Sequence, residues 1–328
     1  MIKYKVVITD YEFDSLDIEK EELDRINVEL VSAKGKTEEE FIATINDADG
    51  ILNMYYPISR RLMEHMPRCK IIARYGVGVD NIDISAATEL GIMVTNVPRY
   101  CINEASDHTL AFLLCLARKI DFLNLSVHSG IWDFKISQPI YRLQGKVLGL
   151  VGFGKIGQEV CKKASVFGLK ILVYDPYIDD ETIKRYQCER VPFDFLLTHS
   201  DFISIHCPLT EETKRMLSYK EFERMKRHAF LINTSRGGIV DNEALYKALE
   251  EKTIAGAAID VIENVPPLSS DHPLLKLDNL LITPHSAWYS EESIVELRRT
   301  AVQEVVRVLN GQDPLSLVNP KVKEKRRK

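Results

Sequence analysis

An apolar run from Val147 to Val151 breaks into Gly152-Phe153-Gly154-Lys155-Ile156-Gly157, and a helical pattern with apolar positions at Ile156, Val160, Ala164 and Phe167 follows. This strand, glycine turn and helix constrain the chain more than any other stretch. Gly152 permits a tight turn, Gly154 lets the backbone approach a pyrophosphate, and Gly157 lets the helix pack close to its strand. The helix start, at Lys155 and Ile156, offers free N–H groups and a favourable dipole to an anion. The next strand pattern, KILVYD, ends in Asp175, eighteen residues after Gly157. A carboxylate there can accept both ribose hydroxyls and repels a 2′-phosphate. The expected cofactor is therefore NAD. Such a turn normally opens its domain, yet here it lies near the middle of 328 residues.

Two alternating series explain the position. The first runs KVVITD, VELVSA, GILNM, KIIARY and IMVTNV, with helical stretches between them, one opening on a capping-box spacing at Thr37–Glu40. The second runs KVLGLVG, KILVYD, DFISIHC, AFLINT, AGAAIDV and LLITPH. Strands separated by helical crossovers imply parallel sheets covered on both faces. The segment from Asn103 to Arg118 carries TLAFLLCLA, apolar nearly all round, and suits a buried helix between two domains. A last amphipathic stretch, Ser290 to Asn310, begins after the second sheet is complete and is expected to return to the first domain. The expected fold is thus α/β with two doubly wound lobes. A substrate domain (1–102 and 286–328) is interrupted by a nucleotide-binding domain (103–285).

Composition narrows the class. Hydrophobic residues make up 45% and charged residues 28%, as in globular proteins, and the net charge of -5 gives no basic footprint for nucleic acid. The basic tail KVKEKRRK reads as a frayed, solvated end. No apolar run approaches the ~20 residues needed to span a bilayer. Six cysteines stand mostly in apolar contexts without metal spacing and read as reduced thiols of a cytoplasmic protein.

Three polar stretches close later strands: HCPLTEET (206–213), NTSRGGIVD (233–241) and TPHSAWYS (283–290). In an open α/β sheet, loops at the carboxyl ends of strands line the ligand crevice. An Arg and a His there suit reduction of a keto acid, the guanidinium gripping a carboxylate and the imidazole exchanging a proton with the carbonyl oxygen. Tyr55, Tyr100 and Trp288 read equally as pocket wall or as packing.

With RYGVGVDNID, NVP, the glycine turn, NTSRGG and TPH in order, the chain resembles the D-isomer-specific 2-hydroxyacid dehydrogenase family over essentially its full length. HSAWYSEES and YRLQGKVLGLVGFGKIGQ look most like its C-terminal-binding-protein branch. The resemblance implies a Rossmann lobe inserted into a flavodoxin-like lobe, and a homodimer formed largely through the nucleotide lobe. It implies Arg236 as carboxylate ligand and His285 as general acid and base. Arg74 and the Gly76-Val77-Gly78 turn would meet the substrate, with Trp288 as wall. Cofactor contacts would come from Gly152, Gly154, Lys155, Ile156, Gly157, Asp175, Cys207, Pro208, Thr213, Thr234, Ser235, Arg236, Asp260, His285 and Thr109. Asp260 would meet the nicotinamide carboxamide. No metal is implied.

One departure stands out. The family places an acid five residues after the equivalent of Asp260, paired with the catalytic His; this chain has Val265. A carboxylate beside an imidazole raises its pKa by ~1–3 units, which valine cannot do. Glu263 is an alternative partner, but it is displaced by ~6–7 Å along an extended chain. Two readings follow: an active NAD-dependent dehydrogenase of a small 2-hydroxy acid, or an NAD(H)-sensing, co-repressor-like binding module with little turnover.

Overall fold

The structure, a computed structural model, describes residues 4–35, 37–263 and 268–327. The chain divides into two compact units, Met1–Cys101 with Ser290–Lys328, and Ile102–Tyr289.

Among the described residues, the first unit opens with β1 (Tyr4–Ile8), α1 (Asp17–Asp24), β2 (Val28–Ser32), α2 (Glu38–Ile45) and β3 (Gly50–Asn53). It continues through α3 (Arg60–Glu64), β4 (Ile71–Arg74), α4 (Ile84–Glu89) and β5 (Met93–Thr95). All strand pairs are parallel, in the order β2-β1-β3-β4-β5. The capping box forms as its spacing predicts, with Glu40 N–H donating to the Thr37 hydroxyl and the Glu40 carboxylate receiving Thr37 N–H. Val7, Ile51, Ile72 and Val94 alternate onto one face and pack with Phe41, Ile45, Leu62 and Met63.

The second unit begins with α5 (Ile102–Arg118) and α6 (Ile120–His128). There follow β6 (Val147–Val151), α7 (Lys155–Ser165), β7 (Lys170–Tyr174), α8 (Asp180–Arg185), β8 (Glu189–Arg190), α9 (Phe193–His199) and β9 (Phe202–Ile205). It ends with α10 (Tyr219–Arg224), β10 (Phe230–Asn233), α11 (Asn242–Glu250), β11 (Gly256–Ile259) and β12 (Leu280–Ile282). The order is β12-β11-β10-β9-β6-β7-β8, again parallel. Leu148, Leu150, Ile171 and Val173 pack on one side with Leu113 of α5 and with Val160 and Ala164 of α7. Val151, Leu172, Ile203 and Ile205 pack on the other with Leu196, Phe222 and Leu245. The sheet is covered on both faces, as its near-continuous apolar strands require.

One device recurs in both sheets. Asp49, just before β3, donates its N–H to the Lys5 carbonyl at 2.8 Å and accepts the Lys5 N–H on its carboxylate at 2.9 Å. Asp201, just before β9, does the same with Val147, again at 2.9 Å. Each carboxylate thus satisfies an N–H at the head of a central strand.

The chain rejoins the first unit with α12 (Glu291–Leu309), whose Leu297, Ala301, Val305 and Leu309 are buried. Arg298 of α12 grips the buried Glu19 of α1 through two nitrogens, at 2.9 and 2.6 Å. The tail departs from expectation. Val322 is fully buried in a short turn, and the Arg327 guanidinium donates to the Leu90, Met66 and Cys69 carbonyls. Those carbonyls lie just beyond α3 and α4, so the arginine satisfies acceptors that helix ends leave open. Among the described residues, no helix is long and apolar enough to cross a membrane.

Candidate active site

Because the strands of the second unit run parallel, their carboxyl ends share one edge. The chain leaves that edge at Gly152, Asp175, His206, Thr234, Asp260 and Thr283, so all three polar stretches gather there. The strand order reverses at β6, with β7 on one side and β9 on the other. Ligands of open α/β sheets bind at such a switch point.

The glycine turn sits at this point. Gly152 has φ +94°, and a Cβ there would lie 2.5 Å from the Cys207 amide nitrogen. A Cβ on Gly157 would lie 2.6 Å from the Gly152 carbonyl oxygen, so this glycine protects the turn itself. Gly154, which caps α7, has nothing within 4 Å of where a Cβ would stand. The first amides of α7 therefore open onto space that a side chain would obstruct, which fits a pyrophosphate. Asp175 receives the N–H of Phe153 at 2.7 Å, of Tyr177 at 2.8 Å and of Ile178 at 3.2 Å. It ties the glycine turn to the loop after β7. A cavity of about 540 Å³ beside it is lined by Gly152, Gly154, Asp175, Cys207, Pro208 and Thr213. That volume suits a small-molecule site. The Thr213 hydroxyl donates to the Pro208 carbonyl at 2.6 Å and shapes this wall. The Tyr177 hydroxyl donates to Glu212 at 2.9 Å, joining two cavity-lining loops. Beneath the turn, the part-buried His206 ring lies 2.9 Å from the Ser204 hydroxyl, and loss of water around it pushes its pKa down to about 4.

Arg236 leaves the end of β10 in a braced loop. Ser235 donates its N–H to Asn233 Oδ1 at 3.0 Å and its hydroxyl to the Cys207 carbonyl at 2.5 Å. Asn233 Nδ2 donates to the Arg236 carbonyl at 3.0 Å. Gly237 abuts the loop after β11, where a Cβ would lie 2.1 Å from the Ile262 carbonyl carbon.

Asp260 organises the His285 loop. Its Oδ1 accepts the Thr283 hydroxyl at 2.5 Å and the Ser286 N–H at 2.8 Å; its Oδ2 accepts the Ala287 N–H at 2.9 Å. The His285 N–H donates to the Asp260 carbonyl at 2.9 Å. His285 itself is exposed and has φ +53°, a left-handed conformation uncommon outside glycine. Such a conformation persists where surrounding bonds over-determine it, and here the Asp260 bonds do so. The half-buried Trp288 packs edge-on against Tyr289, ring centroids 5.7 Å apart.

In the first unit, Arg74 ends β4 and its guanidinium folds over Gly76. A Cβ on that glycine, which has φ +144°, would lie 1.2 Å from Arg74 Nη1. The turn is held by Val97 N–H on the Gly76 carbonyl at 2.9 Å and by Asn96 Nδ2 on the Val77 carbonyl at 2.6 Å. Val77 is exposed, Tyr100 buried and Tyr55 exposed, the last with its N–H on Asp10 at 2.7 Å.

Thr109 is fully buried behind Thr234, and Val265 lies outside the described residues. Glu263 is held by Arg215, at 3.1 Å. Sequence reading passed over His108, which stands 3.0 Å from the Thr283 hydroxyl. It sits among other polar residues, Ser106, Asp107 and Thr109, so nothing in the sequence sets it apart.

Residues 110–287 match the family described as D-isomer specific 2-hydroxyacid dehydrogenase, NAD binding domain. The chain is 40% identical over 285 residues to a glyoxylate reductase from Korarchaeum cryptofilum, covering 86% of each. It is 38% identical over 318 residues to a D-3-phosphoglycerate dehydrogenase from Methanocaldococcus jannaschii, covering 96% of this chain and 59% of that one. A D-lactate dehydrogenase from Aquifex aeolicus, solved with NAD and lactic acid, matches with a TM-score of 0.86 at 29% identity, over 96% of this chain and 99% of that one. With the glycine cradle, the Asp175 cavity and the Arg236 and His285 loops on one sheet edge, the chain belongs to the D-isomer-specific 2-hydroxyacid dehydrogenases, NAD-dependent oxidoreductases that interconvert 2-keto and D-2-hydroxy acids.

Proposed function

We propose that the substrate is a small 2-keto acid of the glyoxylate class, reduced with NADH. The observation that carries this reading is the Asp260 hub, which presents a left-handed His285 two strands away from Arg236 on the same sheet edge. The glyoxylate reductase relative supports the substrate size. Arg236 grips the carboxylate in a fork and polarises the carbonyl. His285 gives its proton to the carbonyl oxygen in reduction and takes it back in oxidation. The bound nicotinamide supplies or receives the hydride. Asp260 Oδ2, which accepts one bond, from an N–H, while Oδ1 accepts two, from a hydroxyl and an N–H, is the oxygen we assign to the carboxamide. Arg74 and residues 76–78 of the first unit are assigned to the substrate, which makes that unit the substrate domain and residues 102–289 the nucleotide domain.

We also assign a homodimer through α6 and the segment after it, and a cytoplasmic setting in which all six cysteines are free thiols. The net charge of -5 supports a small-molecule role over a nucleic-acid one.

The test is NADH oxidation with a panel of 2-keto acids beside an NADH binding titration. Turnover should be highest with glyoxylate-sized acids, and Arg236→Lys should lose ~10²-fold or more in kcat/KM because lysine lacks the planar fork. Tight NADH binding without turnover on any acid would instead favour the sensing module, the reading to which Val265 lends weight.

A further inference from the structure

Two neighbouring residues of α5 reach the two loops that bear Arg236 and His285. His108 Nε2 lies 3.0 Å from Thr283 Oγ1, and Thr109 Oγ1 lies 3.0 Å from Thr234 Oγ1. The second bond of each hydroxyl fixes the direction of the first. Thr283 gives its proton to the Asp260 carboxylate, so its oxygen is the acceptor and His108 carries the proton on Nε2. Thr109 gives its proton to the Ala105 carbonyl at 2.7 Å, so Thr234 donates to Thr109. The tether runs from the buried interior to a half-buried edge, where His108, Thr234 and Thr283 lie. Thr109 and Leu113 are fully buried, Asp260 is 2% exposed, and the His108 ring is braced edge-on against Phe112 with centroids 4.5 Å apart.

The sheet links the two loops at one remove: β11 lies between β10 and β12, and the Asp260 N–H donates to the Asn233 carbonyl while the Thr283 N–H donates to the Ile259 carbonyl. No ladder bond joins β10 to β12 directly. The helix adds a side-chain tether to each loop, through two consecutive residues.

We propose that the His108–Thr109 step of α5 is a positioning element that holds the Arg236 loop and the His285 loop in register, so that one substrate meets both groups. This rests on the reading of Arg236 and His285 as the reacting pair. Neither His108 nor Thr109 touches substrate in this scheme; each acts through a threonine of the loop it tethers. The leverage is large, because a displacement of about 1 Å in a catalytic group can cost ~10²-fold in rate.

The test uses four single variants and one double. His108→Leu and Thr109→Val remove the bonds; His108→Gln keeps an N–H donor and Thr109→Ser keeps the acceptor. We expect His108→Leu to lower kcat by ~10-fold or more, and Thr109→Val to act mainly as a raised KM for the keto acid. The Gln and Ser variants should recover most of each loss. The Leu/Val double should lose less than the product of the two singles, since freeing either loop already breaks the register. A readout without turnover accompanies these. In the cofactor-free protein with isotope-labelled histidine, the His285 imidazole resonance should move in His108→Leu and stay in His108→Gln. Wild-type protein inactive on every keto acid would remove the reacting-pair reading, with the resonance still testing the tether. An active wild type whose Leu and Val variants keep both constants within ~2-fold overturns the inference. So does equal loss in the Gln and Ser variants, because the bonds would then not be the cause.

Discussion

Two residues near the glycine turn act through charge. Asp175 lines the cavity while its carboxylate already receives three backbone N–H groups, so it is held in place before any ribose arrives. A 2′-phosphate brought within ~5 Å of it meets repulsion of about 1–3 kcal/mol per charge pair at effective dielectrics between water and a protein surface. NADH should therefore bind roughly 10- to 100-fold more tightly than NADPH, and equal dissociation constants would remove Asp175 from this role. His206 sets a pH dependence of stability. Its pKa is pushed down to about 4 in the folded chain, whereas an unfolded histidine titrates near 6.5. Between those values the unfolded state binds the extra proton, so stability falls as pH drops from about 6.5 toward about 4, by at most about 3 kcal/mol from this group. Urea midpoints of the native protein and His206→Gln, measured across that window, check it. The variant should show the shallower fall.

Elements were legible in the sequence where they carry a period. The alternating apolar runs and the Thr37–Glu40 capping box, read from sequence, lie where β1 to β7, β9 to β12 and α2 form. β8 was not legible, because a two-residue edge strand, Glu189–Arg190, has no alternation to read. The tail pattern misleads because its lysines and arginines dominate it, whereas Val322 and the reach of Arg327 to three carbonyls decide its structure. In the site, the glycines and Asp175 announce themselves by spacing. His108 does not, since its role depends on a threonine 175 residues away in the chain. The loop after β11 yields a prediction at this scale. Glu263 is bound by Arg215 at 3.1 Å, and the Gly237 backbone presses on the same stretch. A carboxylate so engaged is a poor substitute for the family's acid at position 265. Glu263→Gln should leave the alkaline limb of the keto-acid reduction profile in place, whereas Val265→Glu should move it upward by restoring a carboxylate that favours the imidazolium. Collapse of activity in Glu263→Gln would make Glu263 the partner of His285.

At the scale of the whole molecule, one surface is unlike the rest. No residue of α6 is buried, although it carries Ile120, Phe122, Leu125 and Val127. The segment after it exposes Trp132 at 89% and Phe134 at 69%, with Ile131 and Tyr141 beside them in sequence. Monomers rarely leave so large an apolar surface in water. Covering it with a second copy of the chain doubles every contact, because in a two-fold interface each residue appears twice. Aromatic side chains carry much of the energy of such interfaces, and each appears here twice. The protein should therefore sediment at twice the mass of one chain. Trp132→Asp with Phe134→Asp places four carboxylates in the symmetric interface and should shift it to the single-chain mass, while NADH affinity stays within ~3-fold because neither residue lines the Asp175 cavity. A variant that still sediments at the double mass would locate the interface elsewhere. Loss of NADH binding in step with the mass would show instead that the nucleotide site needs the second copy.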